Sequence, residues 1–325
     1  MKKIFKVASF FSGCGGMDLG TIGDFKFLNK KYKKHPTEIV YSNDFDEAIC
    51  ELYKINFKHI NICDDIRKIQ SASIPKHDIL TGGFPCQSFS VVAQNPKRLG
   101  YKDDKGKLFF ELCRILKDKK PQTFIVENVK GLLSANKGQA FPLILDEFQK
   151  VGYHTKYAVL NASHYGVPQK RERVFIIGFR NKKRADAFNF PKPITDMNPP
   201  SLSQVILQES EIEDKFYFSE KAVEGLKKTK NSKLMNKGRS QKINEPCNTI
   251  TAHLAKVSLN STDPVLNING RYRMFTPFEV ARIQSFPDKF RLVESKRTNY
   301  IALGNAVPPV LMWHIINEVL LTLNE

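Results

Sequence analysis

The sequence predicts an α/β protein: a doubly wound, mostly parallel sheet followed by a smaller, irregular unit. Short apolar runs recur through residues 4–179, alternate with stretches of helical spacing, and close on glycine or an acid. The alternation stops near residue 181, where Pro191, Pro193, Pro199 and Pro200 mark a linker. A chain of 325 residues is long enough to bury a sizeable core and carry a second unit as well.

Residues 4–11 form the first strand and close on Ser12-Gly13-Cys14-Gly15-Gly16-Met17-Asp18-Leu19-Gly20. Glycines there let the backbone approach a ligand at the start of a helix, where free N–H groups favour anions. A plain strand-to-helix turn explains the same residues equally well. A dinucleotide fingerprint would need a third glycine at position 18; Asp18 stands there and counts against a nicotinamide cofactor. The second strand, residues 39–42, closes on Asn43-Asp44-Phe45-Asp46. An acid at that point suits ribose hydroxyls, and Asp46 reads equally as the cap of the helix through Ala48, Ile49, Leu52 and Tyr53. Residues 60–63 and the following Asp64-Asp65-Ile66 make a third strand end with acid available. A Gly-rich turn and two acids, without G-K-[ST] or a basic clamp, suit a nucleoside better than a polyphosphate.

His77-Asp78-Ile79-Leu80 is a buried strand leading into Gly82-Gly83-Phe84-Pro85-Cys86-Gln87-Ser88. Pro85 fixes the backbone and biases Phe84 towards an extended conformation, so Cys86 is presented beyond a strand end, as a nucleophile would be. Taken alone, the turn is read as readily with Cys86 as a small buried residue. Residues 88–107 are polar and basic, carrying Lys97, Arg98, Lys102, Lys105 and Lys107; a connection of that length is a lid or a surface loop. Residues 108–116 have helical spacing, which puts Cys113 in the core beside Phe109, Leu112 and Leu116. Residues 123–126 are another apolar strand, ending in Glu127-Asn128-Val129. An acid straight after a buried strand is awkward to solvate, and a raised pKa suits proton donation; a helix cap or loop salt bridge is the alternative. A helix over 141–151 and strands over 157–161 and 174–179 bracket Gln169-Lys170-Arg171-Glu172-Arg173. Those arginines are either ligands for carbonyl or phosphate oxygens or a solvated cluster.

Beyond the linker, Lys227, Lys228, Lys230, Lys233, Lys237, Arg239 and Lys242 make an irregular basic stretch suited to a phosphate backbone. Order returns over 273–290, and an apolar helix over 310–323, entered through Gly304-Asn305-Ala306-Val307-Pro308-Pro309, is expected to dock on the first sheet. The formal net charge of +18 points to a polyanion, nucleic acid before an anionic membrane. Cys14, Cys50, Cys63, Cys86, Cys113 and Cys247 show no C-x-x-C pair and no metal-like spacing, which predicts no metal and a reducing cytoplasm. The N-terminal apolar run is too short for a secretory signal or a membrane span.

Six stretches in this order resemble the cytosine-C5 DNA methyltransferase family, of the bacterial restriction-modification type. They are Phe11-Ser12-Gly13-Cys14-Gly15-Gly16, Gly83-Phe84-Pro85-Cys86-Gln87-Ser88, Glu127-Asn128-Val129, Gln169-Lys170-Arg171-Glu172-Arg173, residues 273–287 and Gly304-Asn305-Ala306-Val307. The likeness covers the chain except about 185–270, the stretch in which the family varies to choose its DNA sequence. It implies a Rossmann-like, S-adenosylmethionine-dependent methyltransferase fold: a catalytic and donor-binding domain over 1–185 completed by 291–325, a target-recognition domain over 186–272, and a connection over 273–290.

For the donor the resemblance implies Phe11, Gly13, Gly15, Gly16, Pro85 and Leu108 around it, Asp44 on the ribose, Phe45, Asp65 and Ile66 around the adenine, and Asn305 and Val307 closing the site. For the reaction it implies Cys86 adding to C6 of a flipped cytosine, Glu127 at N3 and the exocyclic amine, Arg173 at O2, and Arg171 supporting the loop or a phosphate. Gln87 would fill the vacated space, with Ser88, Ser90, Lys97 and Arg98 on the DNA side of the lid. Pro-Cys-Gln, unlike the Pro-Cys-Phe-Thr of the tRNA-methylating branch, implies duplex DNA. Ala306 replaces a serine common in the family, a small residue for a small one. The implied protein is a monomer, with a cognate restriction endonuclease as a functional and not a physical counterpart. A DNA-binding protein that keeps the fold without the chemistry, and an RNA cytosine-C5 methyltransferase, are the competing readings.

Overall fold

The computed structural model describes residues 3–85, 107–195, 198–228, 239–255 and 263–325. Its centre is a seven-stranded sheet. In chain order the strands are β1 (Phe5–Phe10), β2 (Thr37–Asp44), β3 (Asn61–Cys63), β4 (Ile79–Gly82), β5 (Thr123–Val129), β6 (His154–Asn161) and β7 (Glu172–Phe179). They lie side by side in the order β3-β2-β1-β4-β5-β7-β6. The first four pairings are parallel, and β7 runs antiparallel to both β5 and β6. The sheet is therefore mostly parallel, as expected, and α/β in class.

The apolar runs became strands because both faces of the sheet are covered. Along β1, Phe5 and Val7 enter one apolar cluster while Ala8 and Phe10 enter the other, the period-2 alternation of a strand. The first cluster takes in Met17 of α1 (Gly16–Ile22), Ile49 and Leu52 of α2 (Glu47–Lys54) and Val310, Leu311, Ile315 and Val319 of the C-terminal helix. The second takes in Phe109, Leu112 and Leu116 of α3 (Lys107–Lys119) and Ile144 and Phe148 of α4 (Ala140–Lys150). Cys113 lies in that core, 5% exposed.

A short hairpin, Phe25–Phe27 with Lys30–Tyr32, was not expected. It packs Phe25 and Tyr32 ring on ring and brings Tyr32 edge-on to Trp313. Following the proline-rich linker, single helical turns and short strands replace long elements. Among them Cys247–Asn248 pairs in parallel with Gln169–Lys170, which ties this lobe to the central domain by a backbone ladder. The chain closes with α5 (Lys182–Ala187), α6 (Glu220–Lys228), α7 (Pro277–Ile283), α8 (Lys296–Asn305) and α9 (Pro309–Asn324) in order. The stretch 296–324 is apolar enough by composition to cross a membrane, but 72% of its most apolar window is buried inside the protein. It is a core element, broken at Ala306.

Candidate active site

At the carboxyl ends of β4 and β5, Glu127 faces Gly83 closely enough that a Cβ at position 83 would lie 3.4 Å from Glu127 Oε2. Glu127 does not follow its strand, as the apolar run suggested. β5 continues to Val129, and Glu127 pairs with Phe175 of β7 inside the ladder. Arg173 sits two residues from Phe175, on the same face, and reaches diagonally across the antiparallel pair so that its Nε donates to Glu127 Oε1 at 3.0 Å. The two side chains keep only 11% and 13% of their surface exposed. Burial pushes the Glu127 carboxyl above its ordinary range, while Arg173 and then Arg171 pull it back. A carboxyl poised to hold a proton, beside a guanidinium with further N–H donors, matches an edge of a planar heterocycle that offers a ring nitrogen next to a carbonyl oxygen.

Arg171 occupies a different place. It is 1% exposed; Nη1 donates to the Ile250 carbonyl at 2.9 Å and Nη2 to the Gly304 carbonyl at 3.1 Å. Its Nε has no hydrogen-bond partner among the described residues, and burial followed by the nearby Arg173 lowers its pKa to about 9. The side chain fastens three segments together, which is the loop-supporting alternative among the roles expected of it. Gln169 does similar work, accepting from the Ile250 N–H at 2.9 Å and donating to Gln284 Oε1 at 3.0 Å.

The turn that leads to position 86 is held by a residue whose role the sequence reading left undefined. Asn128 Nδ2 donates to the Phe84 carbonyl at 2.9 Å, and Phe84 is buried against Phe109. Pro85 is half-buried, and so is Leu108 at the start of α3. Cys86, Gln87, Ser88, Ser90, Lys97 and Arg98 lie outside the described residues.

A second group of candidates surrounds the ends of β1, β2 and β3. Gly15 has φ +84, a left-handed value open to glycine, and a Cβ there would strike the Phe57 ring at 2.2 Å. At Gly16 a Cβ would meet the Val307 carbonyl at 2.3 Å, so the C-terminal segment packs directly on this turn. Gly13 is different, since a Cβ there would meet nothing within 4 Å: the turn borders open space at that point. Asp44 frames the space, with Oδ2 accepting from the Gly13 N–H at 2.8 Å and Oδ1 from the Phe45 N–H at 2.8 Å. Burial raises its carboxyl above the ordinary value and these backbone donors lower it. Phe45 leaves 72% of its surface exposed, and Phe11 is half-buried with φ +53, an uncommon conformation for an aromatic residue.

The Asp65 carboxylate is engaged by Arg67 through its backbone N–H and guanidinium, which lowers its pKa. The Ile66 side chain is 3% exposed and packs in the core next to the Asp65 turn. Asn305 is exposed and Val307 buried beside the glycine turn. Asp18 is fully buried and receives a hydrogen bond from Tyr53 Oη at 2.6 Å; desolvation raises its pKa to about 6. Tyr53 Oη also bonds His59 Nε2.

The residues present fit an adenosyl donor. An open cradle at Gly13, an exposed ring at Phe45 for stacking and acceptor carboxylates at Asp44 and Asp65 suit a nucleoside, and no group of three or more His, Cys, Asp or Glu that could hold a metal occurs among the described residues.

A sequence model of the C-5 cytosine-specific DNA methylase family matches residues 5–320. The chain is 35% identical over 317 residues to the Type II methyltransferase M.Bsp6I of Bacillus sp. (strain RFL6), covering 94% of this chain and 95% of that protein. It is 32% identical to M.HhaI of Haemophilus parahaemolyticus, covering 88% and 89%. Its fold is that of the Entamoeba histolytica methyltransferase EhMeth, with a TM-score of 0.76 at 19% identity over the whole of both chains. The S. pombe Dnmt2 methyltransferase superposes with a TM-score of 0.72 at 16% identity, over 99% of this chain and all of that one. With the Glu127–Arg173 pair at the sheet end and a family match running almost from end to end, the chain belongs to the C-5 cytosine-specific DNA methylase family and is a DNA (cytosine-5-)-methyltransferase.

Proposed function

We propose that Cys86, Glu127 and Arg173 form one catalytic group acting on a cytosine rotated out of duplex DNA. The observation that carries this reading is the Glu127–Arg173 pair, 3.0 Å apart and nearly buried, beside the turn that leads to Cys86. C5 of cytosine is a weak nucleophile, and covalent addition divides the difficulty into easier steps. The Cys86 thiolate adds to C6 while Glu127 holds a proton at N3 and Arg173 binds O2, so that charge arriving in the ring is neutralised and C5 becomes electron-rich. Once C5 carries the methyl group, a base takes the C5 proton and the Cys86 sulfur is expelled, which restores the ring. Reaching the base requires unstacking it, at a cost of a few kcal/mol.

S-adenosylmethionine, bound, supplies the electrophilic methyl group. Asp44 would hold the ribose, Phe45 and Asp65 the adenine, and the turn from Phe11 to Gly16 the remainder, with Val307 backing that turn. Asn305 would close the site from the C-terminal end. We also read residues 186–272 as the unit that chooses the DNA sequence, and the protein as a monomer of the cytoplasm paired functionally with an endonuclease. The Type II names of its relatives support that pairing. Transfer of labelled methyl from the donor to duplex DNA, with tRNA as competitor, tests the proposal: DNA is labelled by wild type and not by Cys86→Ala, and labelling of tRNA in preference to DNA would overturn it.

A further inference from the structure

Two cysteines with no part in this mechanism meet beneath the adenosine end of the donor site. Cys50 lies on α2 and is 1% exposed; Cys63 ends β3 and is partly exposed. Burial first, and then the neighbouring Cys63 thiol, push the Cys50 thiol above its ordinary value. The backbone fixes this approach independently, since Cys63 is the register partner of Asp44 in the β2–β3 ladder, Cys50 Sγ donates to the Asp44 carbonyl at 3.6 Å, and Asn61 Nδ2 donates to the Cys50 carbonyl at 3.4 Å. The same Asp44 carbonyl accepts from the Asp64 N–H at 3.0 Å. Both cysteines therefore adjoin the residue whose carboxylate holds Gly13 in place, Cys50 through its sulfur and Cys63 through the strand ladder. The other described cysteines, Cys14, Cys113 and Cys247, are buried.

We propose that Cys50 and Cys63 form an oxidisable dithiol whose disulfide weakens donor binding, a modification site for a hydroperoxide. Cys63 is the thiol an oxidant reaches: the O–O bond of the peroxide breaks, Cys63 becomes a sulfenic acid, and an alcohol or water leaves. Cys50 Sγ then attacks that sulfur, the S–S bond forms, and water carries away the oxygen with the Cys50 proton. Burial holds the Cys50 thiol protonated until that step. Closing the sulfurs to about 2.05 Å draws α2 onto β3 and removes the S–H donor from the Asp44 carbonyl. β3 is an edge strand, bonded only to β2, so it and the Asp64-Asp65-Ile66 segment after it are the parts that yield.

The loss of binding rests on the assignment of the donor site above, so the test reads the disulfide and the binding separately. The full chain carrying Cys86→Ala, which removes the mechanistic thiol, is treated with hydrogen peroxide, mapped by mass spectrometry without reduction, and titrated with S-adenosylhomocysteine. The expected result is a Cys50–Cys63 linked peptide, affinity reduced at least fivefold, and recovery on adding a dithiol reductant. Adding Cys63→Ser, at a partly exposed position, should abolish both the link and the loss. Peroxide that leaves Cys63 as a sulfinic acid with no linked peptide would overturn the proposal, and so would a linked peptide with unchanged affinity. Reduced protein that does not bind S-adenosylhomocysteine would refute the donor-site assignment and with it the coupling, while the linked peptide would still report on the dithiol.

Discussion

Glu127 is carried by a strand with ladder partners on both sides, β4 and β7. In the lobe after the linker the most buried cation among the described residues, Arg273, also sits on a short strand, paired with Leu266, but its side chain is fixed by carboxylates. Its Nη1 and Nη2 donate to Glu279 at 2.9 Å each and its Nε to Glu209 at 3.0 Å. Glu279 accepts in turn from the backbone of Leu207 and Thr276. The contrast lies in the side chains. Glu127 pairs with Arg173 and both keep part of their surface exposed, whereas Arg273 gives its donors to Glu279 and Glu209 and is fully buried, so the first pair is open to a substrate and the second is an anchor.

The comparison breaks first at Glu127. Glu127→Gln keeps the shape of the side chain but removes the acid, and single-turnover methyl transfer should fall about 10²–10⁴-fold with the Tm almost unchanged. In the other lobe the response should be the reverse. Arg273→Met leaves Glu279 buried without its cation, a change that costs about 3–5 kcal/mol, so the Tm drops before any catalytic step is touched. Denaturant unfolding measures it, and a variant as stable as wild type would show that the node is not an anchor.

Asn128 separates positioning from chemistry. Asn128→Ala leaves the Phe84 carbonyl without its partner, an effect on the order of 1–3 kcal/mol. It should appear as a lower kcat with the Glu127 pH dependence unmoved, because Asn128 acts only through the turn before Cys86.

The smallest effect sits where the hairpin meets α9. Burial lowers His35 and His314 to about 4, from an ordinary value of 6.5. The unfolded chain takes up these protons over that interval and the folded chain does not, so their contribution to stability is complete above about pH 6.5 and falls as the pH drops towards 4. His314→Phe should flatten this acid limb, reducing the loss of Tm between neutral pH and about 4.5 by about 2 °C.

What was legible in the sequence follows from range. Buried parallel strands read directly as apolar runs, so β1 to β5 and their acidic or glycine-rich ends could be found from local pattern. Glu127 was assigned to the end of its strand because a carboxylate interrupts an apolar run, although the ladder continues through it once Arg173 supplies the counter-charge. Arg171 reads from the sequence as a ligand for carbonyl or phosphate oxygens or as part of a solvated cluster, and the carbonyls it meets are the protein's own. Its acceptors lie 79 and 133 residues away in sequence, at Ile250 and Gly304, where no local pattern points. Asp46 gave the opposite outcome: the capping alternative is realised in its hydrogen bond from the Ile49 N–H at 3.1 Å.

The central claim is that a sulfur at position 86 and the carboxyl at 127 act on one extruded cytosine. The most direct measurement is incubation with the donor and duplex DNA carrying 5-fluorocytosine at the methylated position, followed by denaturing electrophoresis and peptide mapping. A stable protein–DNA adduct on Cys86, absent in Cys86→Ala and slowed in Glu127→Gln, is the predicted result. An adduct on another residue, or methylation of ordinary DNA with no adduct on the fluorinated strand, would contradict it.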